Sequence, residues 1–340
     1  MKVLVTGGTG FTGSHTAAAL AAQGHDVRLM VRDVAKVRTV FEPFGFVPTD
    51  VVVGDMTDSS AVESALAECD GVIHTAALVD LRRSTAKLVE TTNARGVESV
   101  IGGAARRGLP SIVYVSSLMV FFEPGGQPMS PASPITPGST AYARSKADSE
   151  RHVRRLQENG AAIRISYPAG IIGPNDPGPS ALNAGLVSLM KQGWLMTSSG
   201  LQIVDVRDLA ALHARLIELP AGQHRYTAAS AMLSWPQWYD VCSRLTGTRP
   251  RRISAPGALL RAAGTVGDMV KRIYDFEFPM TRDGMEVTTR WPGAEAERTT
   301  RELGVPFREP AESLHDTLAW MYSAGYLSAA QVGRLAEEAG

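Results

Sequence analysis

Residues 6–13 read Thr6-Gly7-Gly8-Thr9-Gly10-Phe11-Thr12-Gly13. An apolar run, Val3-Leu4-Val5, precedes them, and a run of helical character from Ser14 to Gln23 follows and closes at Gly24. A strand, a glycine turn and a helix in this order form a phosphate site. The helix N-terminus offers unpaired N–H groups there, and the glycines let a ligand approach the backbone. The stretch therefore predicts a dinucleotide pyrophosphate site, with an ordinary glycine-rich turn as the alternative.

Composition limits the class of protein. The 340 residues carry 34 Lys and Arg against 34 Asp and Glu, a balance that argues against a nucleic-acid or anionic-membrane partner. Cys69 and Cys242 form neither a disulfide nor a metal pattern, and no metal site is predicted. The sequence has no signal-peptide pattern and no apolar run long enough to cross a bilayer. We therefore expect a cytoplasmic protein without an integral membrane segment.

Apolar strand-like runs alternate with helix-like runs through the first half of the chain. Strands are predicted at 2–6, 27–31, 50–53, 71–75, 111–115 and 162–166, and helices near 14–23, 58–68, 84–107 and 141–159. This alternation predicts an α/β fold with a Rossmann doubly wound parallel sheet. Residues 1–173 with 201–220 are expected to form the dinucleotide-binding domain. Residues 174–200 with 221–325 would form a smaller, mostly C-terminal substrate lobe, and 326–340 a C-terminal helix or tail.

Two strand ends carry candidates for the adenosine half of a cofactor. Arg32 follows the second strand, where an acidic residue would hold the ribose 2′-OH of NAD and an Arg accommodates the 2′-phosphate of NADP. Arg32 therefore favours NADP, with NAD possible. A solvated surface Arg is the alternative, and Asp33 could cap the next helix. Asp55 follows the third strand and could accept from the adenine amino group, whereas Asp58 is better placed as a helix cap. His74, in the fourth strand, is interpreted as a core histidine.

A second set of candidates lies after the fifth strand, at Ser116-Ser117 and, beyond a loop rich in Pro and Gly, at Tyr142 and Lys146. The last two are spaced i, i+4 and share a helix face. A nearby ammonium group would lower the pKa of a tyrosine from about 10 toward neutrality, so Tyr142 could act as general acid or base. Ser117 would hydrogen-bond the same substrate oxygen. A Tyr–Lys pair on an ordinary helix surface is the alternative.

Further motifs complete a pattern known from one family. The matching pieces are Thr6–Gly13, Gly54-Asp55, Ala76-Ala77, Asn93, Ser116-Ser117, Tyr142-x-x-Ser145-Lys146-x-x-x-Glu150, Pro168-x-x-x-x-Gly173-Pro174, Asp205–Ala210 and Glu297–Gly304. With these motifs in this order, the chain resembles the extended short-chain dehydrogenase/reductases of the NAD-dependent epimerase/dehydratase superfamily. Its features are most similar to the dihydroflavonol-reductase and 3β-hydroxysteroid-dehydrogenase branch. The resemblance covers about residues 1–325.

The resemblance implies an NAD(P)-dependent enzyme with Ser117, Tyr142, Lys146 and Asn93 as catalytic residues. Tyr142 would move the proton, Lys146 would hold the nicotinamide ribose, and Asn93 would support the surroundings of Lys146. The implied cofactor contacts are Gly7, Thr9, Gly10, Phe11, Thr12, Gly13, Arg32, Asp55, Met56, Ala76, Ala77, Lys146, Tyr167 and Gly170. Many relatives pair their subunits through two long helices, here 84–107 and 141–159, so a homodimer is expected.

One departure from the family pattern bears on the substrate. Sugar-nucleotide members carry an Arg shortly before the late Asp-Val element, where this chain has Gly200-Leu201-Gln202-Ile203. A diphosphate needs such cationic groups. The sequence therefore favours a small, rather apolar ketone or aldehyde and the corresponding alcohol.

Two other functions stay open from the sequence. They are a nucleotide-sugar epimerase or dehydratase with tightly bound NAD(P), and a non-catalytic NADP-binding regulatory protein. The apolar stretch 256–273 also has several interpretations. It could pack within the lobe, line the substrate pocket, contact a partner subunit or lie on a membrane surface.

Overall fold

The computed structural model describes residues 1–80, 82, 84–138, 140–270 and 281–338. The strands in this part of the chain are β1 Lys2–Thr6, β2 Asp26–Val31, β3 Asp50–Val53, β4 Gly71–His74, β5 Ser111–Val115, β6 Ile163–Pro168, β7 Gly170–Ile172, β8 Trp194–Met196, β9 Gly200–Leu201, β10 Ile203–Asp205, β11 His224–Ala228, β12 Leu233–Ser234 and β13 Arg252–Ser254. The helices are α1 Phe11–Ala22, α2 Ala35–Phe41, α3 Ser59–Leu66, α4 Ala86–Val97, α5 Gly103–Arg106, α6 Ala141–Glu158, α7 Ala181–Gln192, α8 Val206–Ile217, α9 Trp235–Thr246, α10 Gly257–Val270, α11 Arg282–Arg290, α12 Glu297–Leu303, α13 Pro310–Ser323, α14 Ala329–Val332 and α15 Arg334–Glu338.

A seven-stranded parallel sheet organises the chain, in the order β11-β6-β5-β4-β1-β2-β3. Its central strands are buried along their length because helices cover both faces, which explains their uninterrupted apolar sequences. Helices α1 and α8 pack together on one face, and α4 and α6 on the other. The predicted α/β, doubly wound fold is confirmed. The strand order reverses between β1 and β4, and ligands of open α/β sheets bind at such a point.

Two helices differ from the predicted bounds. Helix α1 begins at Phe11 rather than Ser14, because Gly10 has an extended backbone and serves as the N-cap, so that Gly13 lies inside the first turn. The predicted helix 84–107 contains a π-helical turn at Glu98–Gly102, which joins α4 to α5. Asp58 caps α3 as predicted, since its carboxylate accepts from the backbone N–H groups of Ser60 and Ala61.

The seventh strand corrects the predicted domain boundary. Strand β11, His224–Ala228, was assigned to the substrate lobe by the break at 220/221, yet it pairs with β6 at the edge of the main sheet. Residues 224–228 contain no apolar run, because an edge strand is covered less completely than a central one. His224 and Arg225 are accordingly only partly buried. The rest of the proposed division stays a prediction.

The remaining segments form a smaller layer over the carboxyl edge of the sheet. Strand β8 pairs with β13, and β9 pairs with β12. Trp194 and Trp238 fill the interior of this layer, and the Trp194 ring meets Tyr239 edge to face at 6.1 Å. Ser234 forms the capping box that begins α9. Within the described residues, none of the helices combines the length and the apolar character that a bilayer crossing requires.

A buried histidine in α8 makes the fold sensitive to acid. The His213 ring hydrogen-bonds Thr16 at 2.9 Å and Ser166 at 3.0 Å, and burial lowers its pKa from 6.5 to about 3. Between those pH values the unfolded chain holds a proton at this residue that the folded chain lacks. The unfolding free energy therefore falls as pH falls, by about 1.4 kcal/mol per pH unit from this group alone.

We expect His213→Gln to remove that share of the pH dependence. Urea unfolding of both proteins at several pH values between about 4.5 and 7 measures the two slopes. The variant should lose less stability per pH unit than the unsubstituted protein, whatever its absolute stability. Parallel slopes would show that His213 titrates normally in the folded chain.

Candidate active site

A single cavity of about 980 Å³ runs along the carboxyl ends of the strands, from β2 and β3 past β1 and β4 to β5, β6 and the lobe. The cavity is lined by most of the residues that were predicted to form the site. These are Gly7, Thr9, Gly10, Phe11, Thr12, Gly13, Arg32, Asp55, Met56, Ala76, Ala77, Ser117, Tyr142, Lys146 and Gly170. Two predicted residues, Asn93 and Tyr167, do not line it. The structure therefore joins the glycine stretch and the Tyr–Lys pair, which are far apart in sequence, in one space.

The glycine loop has the close backbone packing that a pyrophosphate cradle requires. Gly7 has a φ of +71°, a left-handed conformation that favours glycine, and its carbonyl accepts from the Gly10 N–H at 2.9 Å. A Cβ on Gly13 would lie 2.1 Å from the Gly7 oxygen. No acidic side chain occupies the first turn of α1 and no side chain caps it, so its N–H groups remain for an anion. The residues present therefore fit a dinucleotide phosphate.

Two exposed cations stand at the adenosine end of the cavity. Arg32 follows β2 as predicted, and Lys36 in α2 lines the same end. The Asp33 carboxylate accepts from the Ala35 N–H at the start of α2. Asp55 is held by the backbone and hydroxyl of Thr57, and these hydrogen bonds lower the pKa of its carboxyl. Lys36 was not identified from the sequence, although its place four residues after Arg32, at the start of a helix, could have indicated it.

Ser117, Tyr142 and Lys146 meet at the other end. Ser117 follows β5. Thr140 caps the start of α6, where its hydroxyl accepts from the Ala143 N–H at 3.0 Å. Helix α6 carries Tyr142 and Lys146 one turn apart. A hydrogen bond with Ser117 favours the ionised form of Tyr142, but burial outweighs it and raises the pKa of Tyr142 to about 12. The Lys146 ammonium donates to the Val115 carbonyl at 2.9 Å.

The expected effect of Lys146 on Tyr142 is wrong for the structure as it stands. We predicted that the lysine would lower the pKa of Tyr142, whereas the pKa is raised and burial dominates it. Burial also lowers the pKa of Lys146 to about 8, with Glu150 acting in the opposite direction. Tyr142 is therefore a neutral phenol at neutral pH, the form that donates a proton.

Glu150 connects Ser116 to the core of the domain. Its fully buried carboxylate accepts from Ser116 at 2.8 Å, from Arg154 at 2.8 Å and from the Tyr167 hydroxyl at 2.5 Å. Ser116 is thereby engaged, which leaves Ser117 as the serine facing Tyr142. The Tyr167 side chain lies on the Glu150 side, outside the cavity, and its predicted cofactor contact stays a prediction. The neighbouring Pro168, Ala169 and Gly170 line the cavity instead.

Asn93 acts on the site through other residues. Its amide accepts from the Leu78 N–H at 2.7 Å and donates to the Leu78 carbonyl and to the Ser145 hydroxyl, each at 3.0 Å. These bonds fix the chain after β4 to the helix that carries Tyr142 and Lys146. The predicted support of Lys146 is thus indirect. His74 is buried and hydrogen-bonds Thr6 at 2.7 Å, as expected for a core histidine.

The wall of the cavity beyond Tyr142 is apolar. It is built from separate segments of the lobe and the sheet edge, namely Met119, Leu182, Leu201, Val287 and Trp291. Trp291 stacks on Phe122 at 5.7 Å between ring centres. Among the described residues, the cations that line the cavity are Arg32, Lys36 and Lys146, all on the side assigned to a cofactor. Leu182, Val287 and Trp291 were not identified from the sequence.

Comparison with known proteins agrees with this architecture. Residues 3–229 match the sequence model of the NAD dependent epimerase/dehydratase family. A putative dihydroflavonol 4-reductase of Synechocystis sp. (strain ATCC 27184 / PCC 6803 / Kazusa) is 27% identical over 95% of each chain. Sterol demethylase protein B of Methylococcus capsulatus (strain ATCC 33009 / NCIMB 11132 / Bath) is 26% identical over 96% of this chain and 100% of its own. The crystal structure of gox2253 has the same fold, with a TM-score of 0.81 at 24% identity over 96% of this chain and 99% of its own.

Proposed function

The chain belongs to the NAD dependent epimerase/dehydratase family and is an NAD(P)-dependent enzyme of the extended short-chain dehydrogenase/reductase type, and we propose a reaction for it on that basis. The enzyme interconverts a ketone or aldehyde and the corresponding alcohol on a small, rather apolar substrate. NADP(H) is the preferred cofactor. One observation carries the proposal. The same cavity is lined by the glycine loop, by Ser117, Tyr142 and Lys146, and by an apolar wall. Among the described residues, no Lys or Arg of the lobe lines it.

The catalytic roles follow from what each side chain can do. A bound nicotinamide dinucleotide would supply or accept the hydride. In the reducing direction, neutral Tyr142 donates its proton to the substrate oxygen, and Ser117 hydrogen-bonds that oxygen and orients it. Lys146 provides an ammonium donor for the ribose hydroxyls of the cofactor. Leu182, Leu201 and Trp291 enclose the rest of the substrate and exclude water.

Support for an apolar substrate comes from the cavity and from the relatives. A nucleotide-sugar diphosphate would need cationic side chains in the lobe, and Leu201 occupies the segment where sugar-nucleotide relatives carry an Arg. Two relatives that align over nearly their full length carry the names dihydroflavonol 4-reductase and sterol demethylase protein B. The homodimer and the cytoplasmic location remain predictions from the sequence.

The decisive measurement is net consumption of the reduced cofactor. The protein is incubated with NADPH and, separately, with NADH and a panel of apolar ketones and aldehydes, and in parallel with UDP-sugars. We expect stoichiometric oxidation of NADPH with alcohol formed from some of the carbonyls. Interconversion of a UDP-sugar on a retained nucleotide without net oxidation would indicate the epimerase or dehydratase instead. Cofactor binding without turnover of any substrate would indicate the regulatory protein.

Arg32 should decide which dinucleotide is preferred. We expect Arg32→Ala to raise KM for NADPH by about 10- to 100-fold while KM for NADH stays within about twofold. A guanidinium–phosphate hydrogen bond contributes about 1.5–3 kcal/mol, and NADH lacks that phosphate. Steady-state kinetics with both cofactors measure the ratio. Arg38→Ala is the matched control, since Arg38 is an exposed residue of α2 outside the cavity. Equal losses with both cofactors would contradict the assignment of Arg32.

A further inference from the structure

Trp291 has the largest side chain on the apolar wall, and it lies directly after α11. The residue is only 7% exposed although it lines the cavity. The Phe122 ring stacks on the indole, with 5.7 Å between ring centres and 21° between ring planes. The backbone N–H of Trp291 donates to the Ser199 hydroxyl at 3.1 Å. The indole is therefore fixed through its ring and through its backbone.

A third contact comes from Gln202, whose side chain is buried behind the wall. Its oxygen Oε1 accepts from the Trp291 indole N–H at 3.4 Å. Its nitrogen Nε2 donates to the backbone carbonyls of Ser230 and Ala294, each at 3.1 Å. Both polar atoms of the buried amide thus have partners in the chain. Because Gln202 directly follows Leu201, these hydrogen bonds connect two segments that both line the cavity.

The backbone on both sides of the indole is anchored as well. The Gly125 N–H donates to the Arg290 carbonyl at 2.8 Å. The Met129 N–H donates to the Gly293 carbonyl at 2.9 Å. These two hydrogen bonds hold the chain immediately before and after the indole against the loop that follows Phe122.

Helix α11, which ends beside the indole, is held in the lobe by further contacts. The Thr288 carbonyl accepts from the Trp235 indole N–H at 2.7 Å and from the Thr197 hydroxyl at 3.2 Å. Helix α10 packs along α11, and Arg261 of α10 donates to the Thr289 hydroxyl at 2.9 Å. A ligand that displaced the indole would have to disturb several of these contacts together, because a packed interior does not deform freely.

We propose that Trp291, held in place by Gln202, sets the largest substrate that the cavity accepts. Trp291 is then a specificity-determining residue, and Gln202 is a positioning residue that acts through it. Met119 and Leu182, which are partly buried, can change rotamer and adjust to the outline of a substrate. The fixed indole cannot adjust in this way. The inference rests on the proposed function for the kind of ligand, an apolar carbonyl compound.

The test measures the binding of aryl methyl ketones with one to four fused rings to the whole chain in the presence of NADP. Calorimetry gives Kd without any turnover. We expect the affinity to reach a maximum within the series and then to fall. Trp291→Ala should move that maximum by at least one ring. It should also raise the affinity for the four-ring ketone, relative to the one-ring ketone, at least about tenfold, because removal of the indole opens space for apolar contact.

A milder substitution covers the possibility that the alanine variant does not fold. Trp291→Phe keeps an aromatic ring beside Phe122 but removes the indole N–H and part of the volume. We expect the affinity ratio of the four-ring to the one-ring ketone to change in the same direction and by a smaller factor, about three- to tenfold. Urea unfolding of each variant reports whether it remains folded.

Gln202→Leu tests the positioning role. We expect the affinity ratio to change in the same direction as in Trp291→Ala and by a smaller factor, because the indole keeps its stacking partner but loses the acceptor of its N–H. Gln157→Leu is the matched control. Gln157 is a fully buried glutamine of α6 outside the cavity, and its amide donates to the Ile163 carbonyl at 2.7 Å and accepts from Arg225. The control should lose stability and keep the ratio within about twofold.

Other results would overturn the inference. They are an affinity that rises through all four rings in the unsubstituted protein, an unchanged ratio in the Trp291 variants, or no binding of any of these ketones. An equal change of the ratio in Gln157→Leu and Gln202→Leu would contradict the positioning role. Binding with the expected pattern but without NADPH oxidation would support the size limit and contradict the proposed reaction, so the two failures are distinguishable.

Discussion

Tyr142→Phe is expected to lower kcat/KM for carbonyl reduction by about 10²- to 10⁴-fold, the range found for removal of a general acid. The phenylalanine keeps the ring and its packing but has no proton to donate. The Tyr142 hydroxyl lies beside Ser117 in the cavity, and no other side chain in the described part of the cavity replaces it at that position. Cofactor affinity, measured by titration of the reduced nucleotide's fluorescence, should stay within about twofold, since the change removes a hydroxyl and leaves the phosphate cradle intact.

The control for this variant is another tyrosine that loses its hydroxyl away from the cavity. Tyr226 lies in β11, and its hydroxyl donates to Glu302 at 3.1 Å. Tyr226→Phe should cost about 1 kcal/mol of stability and leave kcat/KM nearly unchanged. If Tyr142→Phe retained turnover comparable to the Tyr226 variant, the proton donor would have to be sought elsewhere. A parallel loss of cofactor binding would point to a structural rather than a chemical role.

Gly13→Ala is expected to weaken dinucleotide binding by at least about tenfold and to destabilise the free protein by about 1–3 kcal/mol. The added Cβ would lie 2.1 Å from the Gly7 carbonyl and 2.9 Å from the Thr75 hydroxyl, so the loop must move. The Gly7 oxygen is a backbone atom in a left-handed turn and has little freedom to yield. Moving it displaces the N–H groups that a phosphate would contact.

Two measurements separate the effects of this substitution. Cofactor titration reports the cradle, and urea unfolding without cofactor reports the fold. Gly185→Ala is the matched control, because nothing lies within 4 Å of a Cβ at that position in α7 and alanine favours a helix. The control should bind the cofactor normally. Normal binding by the Gly13 variant would mean that the loop does not hold the pyrophosphate.

The parts of the fold and site that could be predicted depend on local sequence. The glycine loop follows from backbone requirements within eight residues, and the Tyr142–Lys146 pair follows from the period of one helix. The central strands are apolar because both of their faces are covered. Each of these features is complete within a short stretch, so its residues specify it without reference to distant parts of the chain.

The features that were missed depend on tertiary context. Strand β6 is buried on both faces, so apolar and polar residues do not alternate along it. Its sequence therefore does not indicate that Tyr167 faces Glu150 rather than the cavity. The pKa of Tyr142 is set by burial that several distant segments create together. Leu182 and Val287 reach the cavity only because the chain folds back over the sheet. Strand β11 escaped recognition because an edge position requires fewer apolar residues.

The apolar wall has a consequence for recombination between homologous enzymes. Its residues come from the turn after β5, from α7, β9 and α11, and from Trp291 directly after α11. The sheet strand β11 lies between Leu201 and Val287 in sequence. A chimera with one crossover after Ala228 would take Leu182 and Leu201 from one parent but Val287 and Trp291 from the other. Exchange of one contiguous block that leaves β11 in place therefore cannot transfer the whole wall. With both β6 and β11 retained, three exchanged blocks are needed, one with Met119, one with Leu182 and Leu201, and one with Val287 and Trp291.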